Sequence, residues 1–136
     1  MIVVVDTSVY SATLKASMSQ VARLYEDDLR RKRPLISFQT VAEIRYGALR
    51  DNWGPERWAL LEQRLAAATT VPPHGALTIE WAMLRNDCRK AGHAFQDKGH
   101  AADLWIAATA RLVGAPLVAH DKGFVGVPGL EVICRA

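Results

Sequence analysis

A continuous β-branched run, Ile2-Val3-Val4-Val5, stops at the polar trio Asp6-Thr7-Ser8. Alternating polarity would mark a strand with one wet face, whereas an unbroken apolar run marks a strand covered on both faces, as in a parallel sheet flanked by helices. A parallel neighbour can be reached only by a crossover, and the residues that follow supply one. Between Val9 and Arg30 the apolar residues Leu14, Met18, Val21, Leu24 and Tyr25 recur near helical spacing, which predicts one or two helices.

The same step repeats down the chain. Leu35, Ile36 and Ser37 after Pro34 read as a second strand, and Thr40 to Leu49 as the next helix. Trp58 to Ala68 is a further amphipathic helix and Thr69 to Val71 a short third strand. Ala76 to Ala91 and Ala101 to Leu112 read as helices, the second stopped by Gly114 and Pro116. Leu117 to Ala119 makes a fourth strand and Leu130 to Ile133 a last one. This alternation predicts an α/β protein of three layers, α/β/α, with a mostly parallel central sheet of four or five strands.

Length and composition agree. A chain of 136 residues suits one domain spanning 1–136, and with 50% of its residues apolar it can fill a core. The apolar opening is far shorter than a signal-peptide core or a membrane span, so the expectation is a cytoplasmic protein with no membrane contact. Cys88 and Cys134 lack metal-ligand or disulfide spacing and read as half-buried thiols. Net charge is +3, and the run Arg30-Arg31-Lys32-Arg33 concentrates positive charge that either solvates a helix end or meets a polyanion.

In open α/β sheets ligands bind beyond the carboxyl ends of the strands. Asp6 follows the first strand directly, and Asp121 follows the fourth after His120. Asp103 stands in the first turn of a very apolar helix whose positions 106, 107, 110 and 113 form the buried seam, so its carboxylate faces packed structure. Glu43 lies near the start of the helix after strand two, with Gly47 one turn on, where another element could approach. Each acid also has a structural explanation. Thr40 and Glu43 fit a capping box, Asp103 suits a helix start, and Asp6 and Asp121 suit turns or N-caps. As a set, half-buried carboxylates sharing a cleft would repel one another unless protonated or neutralised by a cation. Oxygen donors suit Mg²⁺ or Mn²⁺, ions that activate water and stabilise the leaving oxygen in phosphodiester hydrolysis.

Four segments bear on that chemistry together. Val3-Val4-Val5-Asp6-Thr7-Ser8 resembles the opening strand and acid of PIN domains, and Thr40-Val41-Ala42-Glu43-Ile44-Arg45-Tyr46-Gly47 resembles their E-x-x-x-G motif. The segment from His100 to Ala110, with Asp103-Leu104-Trp105-Ile106-Ala107-Ala108-Thr109-Ala110, is similar to the D-x-x-I-A-A-T-A helix of VapC toxins. Leu117 to Phe124 and Val127 to Val132 resemble that family's final strands and acid. Gly123 and Ala119 depart from the pattern, since many relatives carry an acid and a Thr or Ser there.

The resemblance covers nearly the whole chain. It implies a PIN-like fold and a Mg²⁺- or Mn²⁺-dependent endoribonuclease in a toxin–antitoxin pair. It also implies Asp6, Glu43, Asp103 and Asp121 as catalytic, metal-holding acids, Ser8 as a supporting hydroxyl, a VapB-like antitoxin partner and a homodimer. Thr7 reads as a cap or packing residue. His93, His100 and His120 read first as hydrogen-bonded, and Trp53, Trp58, Trp81 and Trp105 first as packing, with RNA stacking the alternative. Arg30 to Arg33, Arg45, Arg50 and Lys122 are candidate phosphate contacts. A haloacid-dehalogenase-like site would need a second acid where Ser8 stands, and no phosphate-binding glycine loop is present. A PIN-like module that binds RNA or protein without cutting is the remaining alternative.

Overall fold

A computed structural model describes residues 1–15 and 19–136; Met18, one of the predicted helical positions, lies outside the described residues. Strands β1 (Ile2–Val5), β2 (Arg33–Ser37), β3 (Thr69–Val71), β4 (Leu117–Val118) and β5 (Val132–Ile133) form one sheet in the order β3-β2-β1-β4-β5. Every neighbouring pair is parallel. The first crossover is α1 (Thr7–Thr13), α2 (Gln20–Leu24) and α3 (Glu26–Leu29), the second α4 (Phe38–Arg50) and α5 (Pro55–Ala67), and the third α6 (Gly75–Ala91) and α7 (Ala101–Val113).

The pleat explains the layers. Val3, Val5, Ile36 and Val118 point to one side and join Val9, Tyr25, Ile44, Leu61 and Leu65, whereas Val4, Leu35 and Leu117 point to the other and join Leu77, Leu84, Leu104 and Ala107. The three-layer α/β/α reading therefore holds, with a wholly parallel five-stranded sheet. Helix α7 comes close to the sheet because Ala107, Ala108 and Ala110 are all fully buried.

Local boundaries moved where tertiary contacts outweighed local signals. The residues before β2 fold as three short helices; Tyr25 is fully buried but Leu24 is 44% exposed, so those two do not share a buried side. Helix α4 starts at Phe38, capped by the buried Ser37 hydroxyl, which accepts the Gln39 N–H at 3.1 Å. Thr40 is thus inside the helix, its hydroxyl accepting from that of Thr7 at 3.1 Å, and the Thr40/Glu43 capping box does not form. Among the described residues no other element comes within 4 Å of where a Gly47 Cβ would lie; the side chain met there is Arg50 of its own helix, at 3.8 Å. Cys88 is fully buried rather than half-buried. No described helix is long and apolar enough to cross a membrane.

One ion-pair cluster ties the third crossover together. The Arg111 guanidinium, 15% exposed, donates to Glu80 at 2.6 Å, to Asp87 at 2.8 Å and to the Pro128 carbonyl at 3.2 Å. Removing Arg111 strands the Glu80 charge at 17% exposure, while Asp87, at 40%, keeps access to water. Arg111→Ala should lower the unfolding free energy by about 3 kcal/mol, read from urea denaturation; a loss below about 0.5 kcal/mol, the usual surface value, would contradict this.

Candidate active site

The strand order places a gap in the connections between β1 and β4: the chain leaves β1 for β2 and β3 on one side and returns to β4 on the other. At such a reversal the loops after the two central strands diverge and leave a crevice. Asp6 sits at its β1 edge and His120-Asp121 at its β4 edge.

Asp6 is 2% exposed. It caps α1, one carboxylate oxygen accepting the Val9 N–H at 2.9 Å, while the other accepts from the His120 N–H at 3.3 Å and the Ser8 hydroxyl at 3.5 Å. The innocent N-cap explanation is therefore true of Asp6, and it does not exhaust the residue, because a capping Asn or Ser would serve without a buried charge. Burial pushes its carboxyl up to about 6, with the bonds from Val9 and His120 pulling the other way and the charge of Asp121 adding to the rise.

Asp103, in the first turn of α7, is also raised, chiefly by burial and further by the charges of Asp121 and Glu43, against a hydrogen bond from His100 Nδ1 at 3.5 Å. Glu43 lies in the second turn of α4 and accepts from the Gln39 amide at 3.1 Å. Asp121 is exposed and caps the 3₁₀ turn Lys122–Phe124 through the Gly123 N–H at 2.8 Å. The four acids are thus linked by mutual repulsion, Asp6 with Asp121, and Asp103 with both Asp121 and Glu43. They do not form a ready-made cage: among the described residues no three His, Cys, Asp or Glu side chains stand close enough to hold an ion. The donor set still fits a hard cation, since it is all oxygen and its two half-buried or buried members carry uncompensated charge.

Other expected residues divide clearly. Thr7 packs against Thr40. His93 accepts the Phe95 N–H through Nδ1 and faces the Val125 carbonyl with Nε2 at 3.2 Å, so it is engaged in structure. Trp53, Trp58, Trp81 and Trp105 are all partly buried against the cores. The basic run Arg30 to Arg33 leads into the amino end of β2, at the opposite edge of the parallel sheet from the acids, so it does not flank them. Arg45 is held by Glu62 at 2.8 Å and Arg50 by Asp51 at 3.1 Å, while Lys122 stands beside Asp121.

Tyr25 was legible only as an apolar position. Its fully buried hydroxyl bonds the Ala119 carbonyl at 3.1 Å, His120 Nδ1 at 2.9 Å and the Arg135 N–H at 2.8 Å, fixing the end of β4 behind Asp6. Its partners lie more than ninety residues away in sequence, so no local pattern marks it.

The raised Asp6 carboxyl has a measurable consequence. A carboxyl that stays protonated to higher pH when folded than when unfolded stabilises the fold below its unfolded value of 3.8, and that contribution is lost as pH rises to about 6. In chelator, the unfolding free energy of the parent relative to Asp6→Asn should fall by about 2–3 kcal/mol between pH 3.8 and pH 7. Asn keeps the cap, so parallel pH profiles for the two chains would refute the assignment.

Residues 3–130 match the PIN domain family. Ribonuclease VapC5 of Mycobacterium tuberculosis is 30% identical over 129 residues, 93% of this chain and 87% of that protein. The structure of VapBC-5 from M. tuberculosis, a member of the VapBC family of toxin-antitoxin systems, matches at 27% identity and a TM-score of 0.68, covering 98% of both chains. VapBC2 from Rickettsia felis, solved with a promoter DNA fragment, shares the fold at a TM-score of 0.77 and 20% identity, again over 98% of both chains. With fold and sequence in accord, the chain belongs to the PIN-domain family, among its VapC members.

Proposed function

We propose that this protein is a divalent-metal-dependent endoribonuclease and the toxin half of a toxin–antitoxin pair. The observation that carries the reading is the buried, charge-starved carboxylate of Asp6 at the β1/β4 crevice, within electrostatic reach of a second raised acid set through Asp121. The similarity to a ribonuclease of the VapC group supports the substrate class.

In this reading Asp6, Glu43, Asp103 and Asp121 hold Mg²⁺ or Mn²⁺. When bound, such an ion stabilises charge on phosphate oxygens and makes water a stronger nucleophile. The chain's own contribution is orientation. The Val9 and His120 N–H groups aim Asp6, His100 aims Asp103, Gln39 aims Glu43, and Ser8 supports Asp6 at 3.5 Å. Open geometry suits Mg²⁺, which retains waters and takes one or two carboxylates plus substrate phosphates rather than a closed protein cage.

Two apolar patches on opposite faces of the sheet favour protein partners, read here as an antitoxin and a second copy of the chain. Tyr46 and Leu49 on α4 are 64% and 65% exposed, and Ile79 and Met83 on α6 are 62% and 51% exposed. The neighbouring VapBC structures support the antitoxin. The lack of a preformed three-residue metal group among the described residues favours a second reading, a PIN-like module that binds without cutting.

Cleavage decides between them. Purified protein should cut single-stranded RNA in Mg²⁺ or Mn²⁺ and stop in chelator, with Asp6→Asn and Asp103→Asn each lowering the rate by roughly 100-fold or more. RNA binding without metal-dependent cleavage by the parent chain would establish the module instead.

A further inference from the structure

Helix α6 separates its charges by face. Its two acids, Glu80 and Asp87, are both taken by Arg111 of α7. Arg85 and Arg89 project elsewhere, and no carboxylate among the described residues pairs with either. They line a cleft of about 390 Å³ with Trp81, Ala82, Asn86 and Gln96, and no acid lines it.

The cleft is built rather than incidental. Arg85 is anchored by its Nε to the Gln96 carbonyl at 2.9 Å and lies 5.6 Å from the centre of the Trp81 ring. Arg89 is steadied by Asn86 at 2.8 Å. Trp81 in turn stacks on Trp105 at 5.3 Å, with the rings 28° from parallel, and Trp105 packs edge-on against Phe38. Trp81 also carries the one buried side-chain donor among the described residues that has no acceptor, its indole N–H. Packing alone would favour an aliphatic residue that leaves no orphan, so the position makes use of the broad aromatic face.

Its location joins it to the candidate active site. Gln96 belongs to the 3₁₀ turns that run into α7, whose first turn holds Asp103, and Trp105 follows Asp103 by two residues. A flat aromatic face, flanking guanidinium groups and no carboxylates match an unpaired base with its adjoining phosphates. Duplex RNA would not present its base faces to Trp81.

We propose that this α6 cleft is a binding subsite for single-stranded RNA, with a base stacked at Trp81 and phosphates on Arg85 and Arg89, and that it selects which RNA reaches the acids. The inference rests on the ribonuclease reading for its substrate. It concerns binding, so the two can fail separately.

Binding of labelled twelve-nucleotide oligoadenylate and oligouridylate is measured by anisotropy in chelator across a salt series. Arg89→Ala should reduce the slope of log K against log salt by about 0.7, and Arg85→Gln with Arg89→Ala by about 1.4. Trp81→Leu should weaken binding about 5-fold or more at fixed salt. Arg89 is exposed, and among the described residues its side chain bonds only its helix neighbour Asn86, so its variant reports even if Trp81→Leu misfolds. In cleavage assays the arginine variants should raise KM and leave kcat unchanged. Unchanged affinity and salt slope in the double arginine variant would overturn the subsite, as would equal competition by poly-glutamate or by duplex RNA. If the parent chain binds through the cleft but never cleaves, the ribonuclease reading falls and the subsite stands. If it cleaves and the cleft variants behave as the parent, the reverse holds.

Discussion

Burying a carboxylate without a cation is among the costlier things a fold can do, and this one does it at Asp6. The residue ends β1 at the reversal of strand order, and the backbone on both sides of the crevice is organised around it. Val9 at the start of α1 and His120 at the end of β4 each turn an N–H toward its oxygens. Two amide dipoles offset part of the penalty, and the carboxyl is still left raised to about 6. Tyr25 then holds the β4 end in place from behind, binding Ala119, His120 and Arg135 together. A crevice stiffened in this way keeps its acid poised instead of letting it swing out to water.

The other acids extend the same logic. Asp103 enters from the helix on the opposite face of the sheet to α4, which brings Glu43, so the set is assembled across all three layers. Each has a neighbour that fixes its direction, and among the described residues none has a basic side chain clamped on it beyond the His100 contact. Where arginines of this protein are strongly paired, they serve elsewhere: Arg45 joins α4 to α5, Arg111 joins α6 to α7, and Arg135 ties the chain's end to Asp28. Among the described residues, none of these arginines pairs with the four acids.

Much of this was legible in sequence for a physical reason. A β-branched run covered on both faces, ended by an acid, encodes both the parallel strand and the placement of Asp6 at its carboxyl end. The apolar seam of α7 likewise encodes the inward aim of Asp103, being buried at Ile106, Ala107 and Ala110, although Val113, expected in the same seam, is 37% exposed at the helix end. What escaped was whatever depends on distant partners. Thr40 looked like a cap because the hydroxyl of Thr7 is far away in sequence, and Ser37, a strand residue, took the cap instead. Arg30 to Arg33 could be read as a solvated helix end or as phosphate contacts, and the parallel topology puts the run at the sheet edge away from the acids. Arg45 and Arg50 met acids whose positions no spacing rule foretold for the first and a plain neighbour supplied for the second.

The central claim is that the crevice around Asp6 is a divalent-cation site. Isothermal titration of Mn²⁺ into the metal-free protein at pH 7.5 tests it most directly, with Asp6→Asn run alongside. Saturable binding by the parent that is lost or severely weakened in Asp6→Asn is the predicted result. No binding by the parent, or the same isotherm for both chains, would contradict the account.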